Sequence, residues 1–417
     1  MKKNLRIDVS ELRVGMFVSL PISWKEHPFL FNQFKIKSHS QIEVIKSLGL
    51  DMVFFNPDRS DVESSDTNHK CSEQKEDEIS VNSLKLKMQE QKSAQIEENK
   101  KLKRNLKKTE KQFDRSVSMM RSMVTKISSR PLNAVNDAKD LISNLTSMLL
   151  DEQNLALHLM GDAKSGDVLY HHSLNISMIC MLMAKELGWT REEIELVGIG
   201  CLFHDIGKLK IPSTIINKVV PLSTPEENLV KQHPLMSLNF LKLADSFPEE
   251  AKPMIANHHE YLDGSGSPKG IKEQELDKFS QLICVVNEYD NLCNGNLRVK
   301  AKTPSVALGL LYKNYKTKLN KEYTEKLIKM LGVYPPGSIV ELSSGQFGMV
   351  MSVNLNDILH PSIIAYDPLV PKEQAPIVNL ANEGINVVRS IPASGLPEKI
   401  YKYLSPRDNI SYAFGKA

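Results

Sequence analysis

The chain has little with which to hold a polyanion or a membrane, and little to crosslink itself. Its 53 Lys+Arg stand against 50 Asp+Glu, a formal charge of +3, so no excess of one sign is present to gather nucleic acid or an acidic surface. No run reaches the roughly 18 apolar residues of a transmembrane helix, so no membrane insertion is expected. The opening Met1-Lys2-Lys3-Asn4-Leu5-Arg6 is basic, but no continuous apolar stretch follows it, so no signal peptide is expected. Five cysteines (Cys71, Cys180, Cys201, Cys284, Cys293) are odd in number and form no CxxC pair. They read as reduced, mostly buried thiols of a cytoplasmic protein, which excludes a disulfide framework. What is present is ordinary globular material: 417 residues, 41% apolar and 25% charged, enough for two or three domains with their own cores.

Composition divides the chain into four parts. Residues 1–57 read as a small α/β domain: Arg6–Val9 and Met16–Leu20 are strand-like, Ile42, Val44, Ile45 and Leu48 mark a helix ended by Gly49, and Met52–Phe55 forms another strand. Residues 58–130 read as a polar linker (58–78, with Ser64, Ser65, Asp66, Thr67 and Asn68) followed by a long amphipathic helix. The helix carries Leu102, Leu106, Phe113, Val117, Met120, Val124 and Ile127 at separations of 4, 7, 4, 3, 4 and 3. Such a stripe serves either as a face packed on the next domain or as a coiled-coil seam for a homodimer or another signalling protein. Residues 131–335 are dense in helical periodicity without credible strands, punctuated by capping boxes at Thr190…Glu193 and Thr224-Pro225-Glu226-Glu227. Residues 336–417 turn to β: Ile339–Leu342, the turn Ser343-Ser344-Gly345, Gly348–Val353, and a third strand at Ile363–Tyr366.

Seven of the eleven histidines lie between positions 158 and 259. His172 opens a helix and points inward with Ile176, Ile179 and Met183. A lone inward histidine is usually a satisfied core residue, but this one has company. The helix capped at Thr190 runs along Ile194, Val197 and Cys201 to His204-Asp205, with Gly207 letting the chain turn and Lys208 within about one turn. A buried Asp205 needs a cation. His233 precedes Pro234, a position that tends to leave the helical region and aim its side chain into a cleft. His258-His259-Glu260 ends another apolar helix and leads into the glycine-rich Asp263–Pro268. Five imidazoles and one carboxylate without thiolates favour iron, manganese or zinc, and suffice for two divalent ions. Such a pair about 3.5–4 Å apart acidifies a water and clamps the oxygens of a phosphate ester.

At these residues the chain resembles the HD-GYP branch of the HD-domain phosphohydrolases. The resemblance rests on His172-Ser173, His204-Asp205-Ile206-Gly207-Lys208, His233-Pro234, and His258-His259-Glu260 followed by Asp263-Gly264 and Gly266-x-Pro268, and covers roughly residues 150–335. Residues 5–57, with Gly15–Val18 and His27-Pro28-Phe29, resemble the small domain that often precedes HD-GYP domains. Gly332–Ser338 and the β tail are similar to one subgroup. The resemblance implies a mainly α protein with an all-helical HD-type core and a metal-dependent cyclic di-GMP phosphodiesterase, giving linear pGpG and in some members GMP. It implies that His172, His204, Asp205, His233, His258 and His259 bind two divalent ions, most simply iron or manganese, with Asp205 bridging them. Lys208 would contact the scissile phosphate and assist the leaving oxygen, and Gly264, Gly266 and Pro268 would shape the substrate side.

Three departures accompany the resemblance. The family's signature Tyr is Ser267. Asn287, in Asn287-Glu288-Tyr289-Asp290, stands where a metal-binding Asp is usual, with Asp290 as the competing ligand. Val168 replaces the Glu that supports a third ion, so two ions are expected. The family's phosphate-gripping cations have no clear match; Arg298 and Lys300 are the nearest. The alternative reading is a catalytically weak relative that binds cyclic di-GMP or a partner and signals through the long helix.

Overall fold

A computed structural model describes residues 5–23, 26–29, 31–61, 81–152, 155–160, 167–368, 370, 372, 375, 377–383, 385–392, 395–404 and 410–416. The expected linker lies outside the described residues from position 62 onward, as does Cys71. In chain order come strands β1 (Leu5–Asp8), β2 (Phe17–Ser19) and β3 (Gln33–Lys35), helix α1 (His39–Lys46), β4 (Met52–Phe55), the long α2 (Val81–Lys126), α3 (Pro131–Asp151) and β5 (Leu155–Leu159). Helices α4 (Val168–Glu186), α5 (Arg191–Phe203), α6 (Ser213–Ile216), α7 (Thr224–Val230), α8 (His233–Leu241), α9 (Lys252–Asn257), α10 (Lys278–Asn294), α11 (Pro304–Asn314) and α12 (Lys321–Leu331) follow. The chain ends with β6 (Ile339–Leu342), β7 (Phe347–Asn354), β8 (Asp357–Ala365), β9 (Ile377–Asn379), α13 (Leu380–Glu383), β10 (Val387–Ile391), α14 (Glu398–Leu404) and β11 (Tyr412–Lys416). The protein is mainly α, with strands in its N- and C-terminal regions. Among the described residues no helix is long and apolar enough to cross a membrane.

Two compact units form: Met1–Lys103 with Ile339–Met349 and Ile363–Ser405, and Arg104–Ser338 with Val350–Ser362 and Pro406–Ala417. The stretch read as one β-rich extension is therefore shared, because its strands pair in different places. In the first unit Ile339, Val340 and Glu341 pair with Met349, Gly348 and Phe347, and β10 pairs with β6. In the second, β11 pairs with β5 along its whole length, and residues 352–354 pair with residues 156–158.

The first unit contains an antiparallel sheet in the order β1-β4-β2-β3. One face buries Ile7, Val18, Val53 and Phe55 against Ile42, Val44 and Ile45 of α1, and Val81, Leu84 and Met88 pack on this core. Ser38 caps α1 by accepting from the Gln41 amide. Strand β3 has a single apolar residue, Phe34, too little for alternation to reveal it.

In the second unit the α2 residues Phe113, Val117, Met120, Met123, Val124 and Ile127 are buried within the chain. That part of the stripe is a packed face and is not available as a seam to a second copy. Helix α4 is buried from Ser173 to Ala184, which flattens its amphipathic pattern. The Thr190…Glu193 box forms as expected, the Thr190 amide donating to Glu193 and the Glu193 amide to Thr190. The second box sits one residue earlier than expected, at Ser223…Glu226: the Ser223 amide donates to Glu226, which Lys218 also holds at 2.7 Å. Strand β5 was not expected in a stretch read as helical. Leu-Ala-Leu-His-Leu is wholly buried and lacks alternation, so periodicity cannot separate it from a buried helix.

Candidate metal centre

Helix ends bring the site together. His172 lies in the second turn of α4, and His204 and Asp205 follow directly on α5. A short 3-10 turn over Ile206–Lys210 then folds Lys208 back onto the carboxylate three residues before it. Gly207 matters here through close approach rather than turning: a Cβ on it would lie 2.0 Å from the His233 carbonyl oxygen and 2.6 Å from the Ser237 amide nitrogen. His233, expected to leave the helical region, instead opens α8, because a proline in the first turn of a helix needs no amide partner. His258 and His259 follow α9, and α10 contributes Asn287 and Asp290.

The side chains converge on Asp205, which is fully buried. Its Oδ2 lies 3.1 Å from His172 Nε2, 3.6 Å from His204 Nε2 and 2.5 Å from Lys208 Nζ. Its Oδ1 lies 2.9 Å from His233 Nε2 and 3.5 Å from His258 Nε2. Two donor sets therefore share one carboxylate: His172, His204 and Asp205, and Asp205, His233, His258 and His259, with donor atoms within 4.8 Å of one another in each set.

The outward ring nitrogens fix the tautomers. His204, His233 and His258 each place Nδ1 against the carbonyl oxygen three residues earlier, at 2.6 Å from Cys201, 2.7 Å from Val230 and 2.8 Å from Ile255. A carbonyl only accepts, so Nδ1 carries the proton and the Nε2 lone pair faces the centre. The paired Nε2 atoms of His233 and His258 are 3.1 Å apart, and those of His204 and His172 are 3.3 Å apart. Among the described residues no hydrogen-bond donor satisfies the buried Asp205 Oδ1. Lone pairs and a carboxylate meeting without protons between them require a cation, and the residues fit a metal.

The electrostatics agree. Burial opposes ionisation of Asp205, but Lys208 and then His204 outweigh it and hold the carboxyl well below its ordinary value. Burial pushes His204 and His259 well below the ordinary histidine value, and His258 to about 4, leaving neutral imidazoles. His172 goes the other way: burial opposes its charge, but Asp290 and Asp205 raise it to about 9. The negative surroundings that hold a proton there favour a metal cation equally.

Asn287 lies at the edge of the second donor set, its amide nitrogen 3.4 Å from His259 Nδ1 and 3.5 Å from the His258 carbonyl. Asp290, weighed from sequence as a competing ligand, is otherwise engaged. Its Oδ2 is 2.6 Å from His172 Nδ1, and its Oδ1 accepts from Asn175 and Asn294. The Gly264–Pro268 loop returns to the ligand helix through a hydrogen bond from the Ser267 amide to the His259 carbonyl. Gly266 is pressed so closely there that a Cβ would lie 2.4 Å from Glu260 Cα. Arg298 directs Nη1 to the carbonyls of Lys218 at 2.8 Å and Ile216 at 3.5 Å, and Lys300 is exposed; neither is tied to the cluster.

Several contributors escaped the sequence reading. Ser237 donates to the His204 carbonyl and accepts from the Gly207 amide, joining α8 to the His-Asp turn. Buried Glu260 accepts from the Lys269 and Gly270 amides, and Glu288 accepts from Tyr261 at 3.1 Å and Tyr315 at 2.5 Å. Glu260 stood beside the histidine doublet and Glu288 in the run Asn287–Asp290, but neither was given a role from sequence.

Residues 134–323 match the family model described as an HD domain, and residues 4–138 match DUF3391, a domain of unknown function. The two matches run one after the other, so the chain resembles an HD-domain protein with a DUF3391 domain ahead of the HD domain. A cyclic di-GMP phosphodiesterase of Pseudomonas aeruginosa is 25% identical over 249 residues, 59% of this chain and 60% of that one. The cyclic di-GMP phosphodiesterase response regulator RpfG of Xanthomonas campestris is 30% identical over 138 residues, 33% of this chain and 36% of that one. The 3'3'-cGAMP-specific phosphodiesterase 1 of Vibrio cholerae is 33% identical over 131 residues, 31% of this chain and 30% of that one. The chain thus spans no more than 60% of the length of these relatives.

Proposed function

We propose that this protein is a metal-dependent phosphodiesterase that hydrolyses cyclic di-GMP to linear pGpG. One observation carries the reading: the two oxygens of Asp205 face two separate imidazole sets, with the Lys208 ammonium on one of those oxygens. His172, His204 and Asp205 would hold one divalent ion and Asp205, His233, His258 and His259 the other, iron or manganese, with Asn287 at the edge of the second. When bound, the ions would supply Lewis acidity for the attacking water and the phosphate oxygens.

The remaining chemistry belongs to the chain. Lys208, half-exposed at the rim of a buried centre, is the proton donor to the leaving oxygen. Asp290 holds the His172 ring in one orientation. Gly264, Gly266 and Pro268 form the substrate side, since the loop they shape is hydrogen-bonded to the His259 backbone. Arg298 and Lys300 are the further cations proposed for the substrate phosphates.

A second substrate, 3'3'-cGAMP, is favoured by the name of the Vibrio relative alone, and the metal chemistry does not choose the base. The test is metal analysis with turnover of both dinucleotides by the full chain and by Asp205→Ala. Conversion of cyclic di-GMP to pGpG by the metal-loaded protein, lost in Asp205→Ala, is expected. No turnover of either dinucleotide by metal-loaded protein overturns the proposal.

A further inference from the structure

The sheet of the first unit has a second face, opposite its apolar core. There Phe17 and Ser19 of β2 point the same way, two residues apart. Ser19 is paired with Gln33 on one side and Phe54 on the other. With Asn56 and Arg59 these residues line a small, partly open cavity of about 30 Å³. Its walls are two aromatic rings, and its polar groups are a hydroxyl, two carboxamides and one guanidinium.

Arg59 is the unusual member. Its Cζ stands 3.9 Å from the centre of the Phe17 ring, a cation–π contact. The Gly345 turn closes over it so tightly that a Cβ on Gly345 would lie 2.4 Å from Arg59 Nη2. Among the described residues no acceptor meets that buried Nη2. The carboxylate that acts on Arg59, Glu341, is itself paired with Arg389 at 2.6 Å. Burial accordingly lowers the Arg59 guanidinium to about 10, against the weaker pull of Glu341. A half-buried cation with a ring beside it and, among the described residues, no ion pair of its own is costly to keep unless an anion joins it.

We propose that this cavity is a binding site for a small oxyanion, a carboxylate or phosphate group, with Arg59 as the charge partner and Ser19, Gln33 and Asn56 as neutral donors. A planar or tetrahedral oxyanion matches the fork of the guanidinium, and Phe17 and Phe54 exclude water around the contact. The site is separate from the histidine cluster and does not depend on the phosphodiesterase reading.

The test titrates the full-length protein with inorganic phosphate and, in parallel, with acetate, holding ionic strength constant with chloride, and follows heat and thermal midpoint. Wild type is expected to show a saturable event with at least one of the two anions. Gln33→Glu places a carboxylate inside the cavity beside Arg59 and should remove that event, weakening the anion at least tenfold while raising the midpoint without added anion. Phosphate bound at the metal centre would persist in Gln33→Glu, so the difference between the two proteins isolates the new site. Arg59→Lys, which keeps the charge but loses the fork, should weaken binding as well. Saturation by neither anion, or an unchanged event in Gln33→Glu, overturns the proposal.

Discussion

Asp290 Oδ2 lies 2.6 Å from Nδ1 of His172, on the side of the ring away from Asp205. One imidazole is thereby held between two carboxylates, one on α10 and one in the turn that follows α5. Asp290 is thus placed to orient the first donor set, and its own oxygens meet His172, Asn175 and Asn294.

Asp290→Asn keeps the shape and removes the charge. The ring then loses the anion that makes its inner nitrogen a stronger donor. Metal affinity of the His172 set should fall by about 10–100-fold. Titration with manganese or iron(II) measures this, and an unchanged affinity would show that Asp290 serves packing alone.

Lys208→Ala tests the donor. The ammonium stands on Asp205 without being a metal ligand, so metal content should be retained. The rate should drop by roughly 10²–10⁴-fold, the usual worth of general-acid help. Equal rates in wild type and variant would remove Lys208 from the chemistry.

Asn287→Asp adds one negative charge beside His259, where an amide now stands. Charge-assisted ligation is stronger than neutral ligation, so metal should survive dialysis better, and turnover should rise where occupancy limits it. Metal content of Asn287→Asp and Asp290→Ala is to be measured side by side. A change in Asp290→Ala only would take residue 287 out of the ligand set.

His158 predicts a pH effect away from the centre. It is buried in β5, with Nε2 3.2 Å from the Lys416 carbonyl, and burial lowers it to about 4. In the unfolded chain it titrates near its ordinary value of 6.5. Between those values the unfolded state binds the extra proton. The stabilising contribution is therefore complete above about pH 6.5 and is lost as pH falls toward 4, up to about 3 kcal/mol in all. His158→Leu should flatten the fall of the thermal midpoint over that window. An unchanged slope would refute the assignment.

Short-range order determined much of this molecule, and the residues show why. Thr190…Glu193 announces a helix start because the box is satisfied within four residues, and Met52–Phe55 reads as a strand because its neighbours are turn formers. His172, His204-Asp205, His233 and His258-His259 pointed to a metal because five inward imidazoles accompany a carboxylate whose burial needs a cation, and such donors without thiols suit divalent ions. Tertiary structure decided the rest. Which oxygen of Asp205 faces which histidine, and that Asp290 lies against His172 Nδ1, depend on how α4, α5, α8 and α10 cross. The α2 stripe from Phe113 is legible as a stripe, but whether it meets the same chain or another is settled by burial alone. Strand β5 has no local signature because its ladder partners, Tyr412–Lys416, lie at the far end of the chain. Periodicity and capping act over a few residues and are written in the sequence. Ladder partners, ring tautomers and close glycine contacts are set by residues far apart in the chain, and exist only once it has folded.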